Sequence, residues 1–160
     1  MGREVERKYL VKGDSWRRAG HGVRHRQGYL STDPDRSVRV RVAGGEAFIT
    51  VKGKSQAAAR DEYEYTIPIE DAKKMLRTLC VKPLIEKTRY VVKHGKRKWE
   101  IDRFARENKG LVIAELETDD GAREIERPGW VGDEVTGDPR YFNLNLVQRP
   151  FSEWRRRRSK

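Results

Sequence analysis

Residues 36–53 read RSVRVRVAGGEAFITVKG. In an extended chain successive side chains point to opposite faces, so Val38, Val40 and Val42 share one face while Arg39 and Arg41 share the other. Gly44-Gly45 divides this run from a second alternating one, and a two-residue glycine connection between alternating runs marks a tight antiparallel hairpin. The stretch therefore predicts paired strands at 36–43 and 46–53. One face is apolar; the other carries two guanidinium groups and, from the second strand, Lys52.

The alternation continues in both directions and predicts eight strands, at 2–11, 22–31, 36–43, 46–53, 60–68, 83–94, 97–104 and 110–118. His94-Gly95-Lys96 and Asn108-Lys109-Gly110 mark further short turns, and short turns join antiparallel neighbours. Pro68 closes the fifth strand, and Glu70-Asp71 supply first-turn acids for a helix with an apolar face of Ala72, Met75, Leu76 and Leu79. Segments 140–148 and 150–154 read as short helices, the latter with Pro150 at its first turn. The fold class is mainly β, with a few helices against the sheet.

The polar faces of the strands are sorted by sign. Glu4, Glu6 and Lys8 project together from the first strand, Arg39 and Arg41 from the third, and Glu62 and Glu64 from the fifth. Lys87 and Arg89 follow on the sixth, Glu100 and Asp102 on the seventh, and Glu115 and Glu117 on the eighth. An ordinary solvated face accounts for any one such strand, but solvated faces mix Thr, Ser, Gln and Lys, whereas these pairs repeat one charge. Carboxylates two apart on a strand stand about 6–7 Å apart at the backbone and repel by about 2 kcal/mol at an effective dielectric near 20. A bound cation relieves that repulsion. Oxygen donors without Cys or His match a hard cation, Mg²⁺ or Mn²⁺, and the guanidinium and ammonium groups match phosphate oxygens.

The 160 residues suit one domain over 1–154, followed by a basic tail at 155–160. The net charge is +11, and removing the five cations among the last six residues leaves +6, still matched to a polyanion. The single cysteine, Cys80, excludes an internal disulfide and fits a reducing compartment as a small core residue. No apolar run is long enough for a membrane-spanning helix and the N-terminal MGREVERKYLV is too charged for a signal core, so the expected location is the cytoplasm.

Glu-x-Glu-x-Lys at 4–8, RQGYLSTDPDRSVRVRV at 26–42, FITVKGKS at 48–55, RDEYEYTIP at 60–68, PLIEKTRY at 83–90, EIDRF at 100–104, AELE at 114–117 and DEVTGDPRYFNLNL at 133–146 together resemble the CYTH, or triphosphate tunnel, family. The resemblance runs in order over nearly the whole chain. It implies a closed eight-stranded antiparallel β-barrel whose charged faces line a tunnel and whose apolar faces pack on outer helices. It further implies hydrolysis of a triphosphate compound with Mg²⁺ or Mn²⁺. On it, Glu4, Glu6, Asp102, Glu115 and Glu117 are metal ligands, with Asp102, Glu62 and Glu64 available for a second metal or the attacking water. Lys8, Arg39, Arg41, Lys52, Lys87 and Arg89 are phosphate ligands.

Inorganic tripolyphosphate is the expected substrate, because no appended module for an organic group is evident. Thiamine triphosphatase, nucleoside triphosphatase and adenylate cyclase are the alternatives within the family, and a non-catalytic polyphosphate- or RNA-binding module is the alternative outside it. His21, His25 and His94 lack metal-site spacing and are expected on the surface or in loops. Gly13, Gly20 and Gly22 lack a P-loop ending, and the four tryptophans are expected in the core. The Arg155–Arg158 run is expected to be a solvated, disordered tail with no part in the chemistry.

Overall fold

A computed structural model describes residues 4–54, 61–119 and 124–158. Its strands are β1 (Glu4–Val11), β2 (Gly22–Ser31), β3 (Arg36–Ala43), β4 (Glu46–Gly53), β5 (Glu62–Thr66), β6 (Ile85–His94), β7 (Arg97–Phe104), β8 (Val112–Asp119) and β9 (Val131–Glu134). The helices are α1 (Ile69–Thr78), α2 (Asn143–Gln148) and α3 (Phe151–Arg158). Eight strands stand where alternation placed them. The ninth, β9, is four residues long and too short to carry a period; it pairs with β1 and is held by the Arg7–Glu134 ion pair at 2.8 Å.

All pairings are antiparallel, in the order β5-β4-β3-β2-β6-β7-β8-β1-β9. The decisive hairpin is present: Ala43 pairs with Glu46 across Gly44-Gly45, and Gly44 adopts φ 58, a conformation glycine accepts without strain. The ladder ends at β5 and β9, with no pairing between them among the described residues. The sheet nevertheless curls on itself. Five strands separate β4 from β1, yet the Glu6 carboxylate on β1 acts electrostatically on Lys52 of β4. Charges on β6 and β7, from Arg89 and Glu100, likewise reach Arg41 on β3. The expected tunnel is this barrel-like wrap, with its hydrogen-bonded ring interrupted at the β5 and β9 edges.

Apolar side chains cover the outside of the wrap. Tyr9, Trp99, Ile101, Ala114 and Leu116 form one outer cluster with Val92, closed by Trp16 from a short 3-10 turn. Trp16 meets Tyr90 edge-on at 4.9 Å, and Trp99 meets Tyr9 and Trp130 edge-on at 5.5 Å. A second cluster lies under α1, where Ala72 and Leu76 pack on Val40 and Ala47 with Cys80 beside them. Gly28 lets this layer approach, since a Cβ there would lie 2.7 Å from Leu84 and 2.9 Å from Cys80. Leu79, expected on the buried face of this helix, is 64 % exposed because α1 ends at Thr78 and Leu79 caps it outside the helical stripe.

The third cluster decides the shape of the lumen. Tyr29, Ile85, Phe104 and Ile113 with Leu10 pack against Tyr141, Leu146 and Val147. They come from the ends of several strands, and α2 with the turn before it stoppers that end of the barrel. α3 lays Phe151 and Trp154 over the stopper, and its backbone remains helical to Arg158, so the expected tail is helical where it is described.

Candidate active site

Residues paired across antiparallel strands share a face, so the register assembles the lumen directly. Glu62 stands opposite Lys52, Glu64 opposite Thr50, and Thr50 opposite Arg39. Arg41 faces Gln27, His25 faces Lys87, and Arg89 faces Asp102. Glu100 faces Glu115, Glu115 faces Lys8, and Glu117 faces Glu6. The register thus puts Glu6, Lys8, Arg39, Arg41, Lys52, Glu62, Glu64, Lys87, Arg89, Asp102, Glu115 and Glu117 on the same side of the sheet. Glu4 begins β1, and its side chain lies outside the described residues.

At the centre of the cationic wall, Lys87 Nζ donates to Asp102 Oδ2 at 2.7 Å. Arg89 adds a two-pronged pair to the same carboxylate, Nε to Oδ1 at 2.8 Å and Nη2 to Oδ2 at 2.9 Å. Burial alone would raise the Asp102 pKa, but the Lys87 charge and the Arg89 hydrogen bonds outweigh it and hold the carboxyl well below its usual range. Burial pulls the Lys87 ammonium below its ordinary pKa against the pull of Asp102. For Arg89, burial is more than offset by Asp102, Glu115 and Glu100, and its pKa is raised. Asp102, expected as a metal ligand, gives both oxygens to Lys87 and Arg89 and so fixes the direction of two cations.

Further along the same wall, on β3 to β5, Glu64 stands 3.9 Å from Arg39 and 3.7 Å from Arg41, and accepts from the Thr50 hydroxyl at 2.8 Å. Lys52 lies 3.3 Å from Glu62. Burial lowers the pKa of both Arg41 and Lys52, and the neighbouring Arg39 charge lowers it further. A group destabilised by its own charge in this way is relieved by an anion. Glu62 and Glu64, expected at a second metal or the attacking water, are placed here as partners of these cations.

The carboxylates gather on β1 and β8. Lys8 Nζ sits 3.9 Å from Glu6 and 3.8 Å from Glu115, above the Phe142 ring and 3.5 Å from the Tyr141 carbonyl. Burial raises the Glu115 pKa, and the charges of Glu6 and Asp102 raise it further against Lys8. An added cation here relieves the repulsion among these carboxylates. The donors are carboxylate oxygens, which fits a hard divalent ion, although among the described residues no three acidic side chains already converge into a finished cage.

Two lumen residues escaped the sequence reading. His25 is not on the surface: it is 5 % exposed, in the middle of β2, and its Nδ1 has no protein hydrogen-bond partner among the described residues. Burial, then the charges of Arg89, Lys87 and Arg41, push its pKa down to about 3 and keep the ring neutral. Gln27, two residues on, is fully buried with both amide atoms unpartnered. A buried amide atom without a partner costs about 1–3 kcal/mol. Their shared face was readable from spacing, but β2 reverses the rule of the other strands: its charged residues, Arg24 and Arg26, point outward to Glu86. The open end of the lumen is a cavity of about 320 Å³ lined by His21, His25, Arg41, Phe48, Arg89 and Glu100 among others. A further hollow, about 480 Å³ beside Lys82, Glu86 and Arg106, lies outside the barrel.

A curled antiparallel sheet with a cationic wall facing a carboxylate wall defines a binder of compact polyanions. Residues 2–151 match the CYTH domain, and the chain belongs to that family. It is 48 % identical over 155 residues to the inorganic triphosphatase of Acetivibrio thermocellus, covering 97 % of this chain and 99 % of that protein. It is 38 % identical over 152 residues to the inorganic triphosphatase of Nitrosomonas europaea, covering 90 % and 96 %. The crystal structure of the inorganic triphosphatase NE1496 matches with a TM-score of 0.68 at 36 % identity, covering 92 % of this chain and 95 % of that one. The family is metal-dependent.

Proposed function

We propose that this protein is a divalent-metal-dependent inorganic triphosphatase, hydrolysing tripolyphosphate to diphosphate and phosphate. The observation that carries the reading is the convergence of Arg39, Arg41, Lys52, Lys87 and Arg89 from three strands on one lumen that is stoppered at one end. A linear triphosphate presents oxygens along its length, and these cations provide a matching row. Asp102, Glu62 and Glu64 hold the cations in place before substrate arrives, so little reorganisation is needed when it does. Lys8, caged by Glu6, Glu115 and the Tyr141 carbonyl, sits between the carboxylates and the stopper and can reach a phosphate oxygen at the reacting end.

Glu6, Glu115 and Glu117, with Glu4, would hold the Mg²⁺ or Mn²⁺ ion. When bound, the ion supplies charge neutralisation and a polarised water. The free, buried Cys80 thiol supports a reducing compartment, the cytoplasm.

Phosphate release from tripolyphosphate, ATP and thiamine triphosphate, each with Mg²⁺, Mn²⁺ or EDTA, tests the reading. Turnover of tripolyphosphate well above the other two, abolished by EDTA, is expected. Preference for an organic triphosphate would reassign the substrate, and binding without turnover would make the protein a polyphosphate-binding module.

A further inference from the structure

β2 lies between β3 and β6 in the sheet, so its lumen face is flanked by Arg39 and Arg41 on one side and by Lys87 and Arg89 on the other. The residues it presents there are neutral. His25 stands opposite Lys87, and Gln27 stands opposite Arg41. Both are at least nine-tenths buried, and His25 Nδ1 and both Gln27 amide atoms lack a protein partner among the described residues. Arg41, directly across from Gln27, also leaves its Nε unpartnered. A fifth charge in this strip would add repulsion to a wall that already carries four, whereas a neutral donor adds a hydrogen bond without that cost.

Taking the lumen as the triphosphate site, on which this rests, we infer that His25 and Gln27 are substrate-binding residues that donate hydrogen bonds to the phosphate chain between the two cation pairs. The Gln27 amide offers two N–H donors and a neutral imidazole offers one. A phosphate chain offers acceptors, so the polarity matches. The Gln27 oxygen is left for the unpartnered Arg41 Nε, which would aim that side chain at the same anion. Leaving polar atoms unpaired in the free protein is destabilising, and a bound anion satisfies the donors among them.

A purely structural role and a binding role move stability and affinity in opposite directions. Gln27→Leu keeps the volume and removes the unpaired atoms, so Tm should stay level or rise. In the same variant KM for tripolyphosphate, and its Kd measured calorimetrically in EDTA, should weaken by roughly 10- to 100-fold, the loss expected for hydrogen bonds to a charged ligand. His25→Phe should weaken binding likewise, and His25→Gln, which restores a neutral N–H donor, should recover most of it. Gln27→Met serves in place of Gln27→Leu if that variant does not fold. Folded variants with wild-type KM and Kd, beside a wild type that binds and hydrolyses tripolyphosphate, overturn the inference alone. A wild type that neither binds nor hydrolyses tripolyphosphate overturns the proposed function and this inference with it.

Discussion

Lys87 donates to Asp102 across 2.7 Å with each side chain only 1 % exposed. In water such a pair is worth little, but here neither charge can be hydrated, so each depends on the other and on Arg89. The pair also fixes the cationic wall: three hydrogen bonds from two cations end on one carboxylate.

Removing that carboxylate strands a buried ammonium. Asp102→Ala should therefore lower the unfolding free energy by about 3–5 kcal/mol, read by urea denaturation. Asp102→Asn, which still accepts a hydrogen bond, should cost less. Equal stability for Asp102→Ala and wild type would show that Lys87 finds another partner.

Glu6 faces Glu117 across the strand pair and acts on Glu115. Glu6→Gln keeps the size and removes the charge that a hard cation requires, so kcat should fall by about 100-fold or more if the metal is lost. A Mg²⁺ titration of the rate, with circular dichroism to show folding, is the measurement. Unchanged metal dependence removes Glu6 from the metal site.

Arg41 lies on the opposite wall, beside Glu64 rather than the β1 carboxylates. Arg41→Ala should leave metal binding intact and reduce kcat/KM by about 30- to 1,000-fold, corresponding to about 2–4 kcal/mol of lost phosphate binding in the transition state. Loss of metal affinity in this variant would merge the two walls into one site.

The neutral His25 ring makes stability depend on pH. Its folded pKa, about 3, lies below the ordinary value of 6.5. Between those values the unfolded chain binds the extra proton, so the stability is full above pH 6.5 and is lost as pH falls. Discounted for solvent screening, the loss from pH 7 to 5 should be about 1 kcal/mol. Comparing denaturation of wild type and His25→Phe at both pH values isolates this share, and parallel losses would show that His25 does not contribute.

Much of the site was legible because strand alternation is a local property. Arg39 with Arg41, Glu62 with Glu64, Lys87 with Arg89 and Glu115 with Glu117 each declared a common face by spacing, and the structure puts those faces together. Partnership was not legible. Asp102 looked like its neighbouring acids, yet its register position opposite Arg89 makes it an anchor for cations. No local pattern distinguishes an acid that waits for a metal from one already held by a lysine.

From the sequence alone came the strands, the tight turn at Gly44-Gly45, the α1 helix and the charged face of each sign-sorted strand, because each depends on residues close together in the chain. The tertiary structure decided which face is inside. On β2 the arginines point out and His25 and Gln27 point in, the reverse of its neighbours. A period of two separates two faces without saying which one the sheet will enclose. That choice is made by the curl that brings Glu6 near Lys52, by α1 covering the outside of β3 and β4, and by α2 stoppering one end, all of which join residues far apart in the chain.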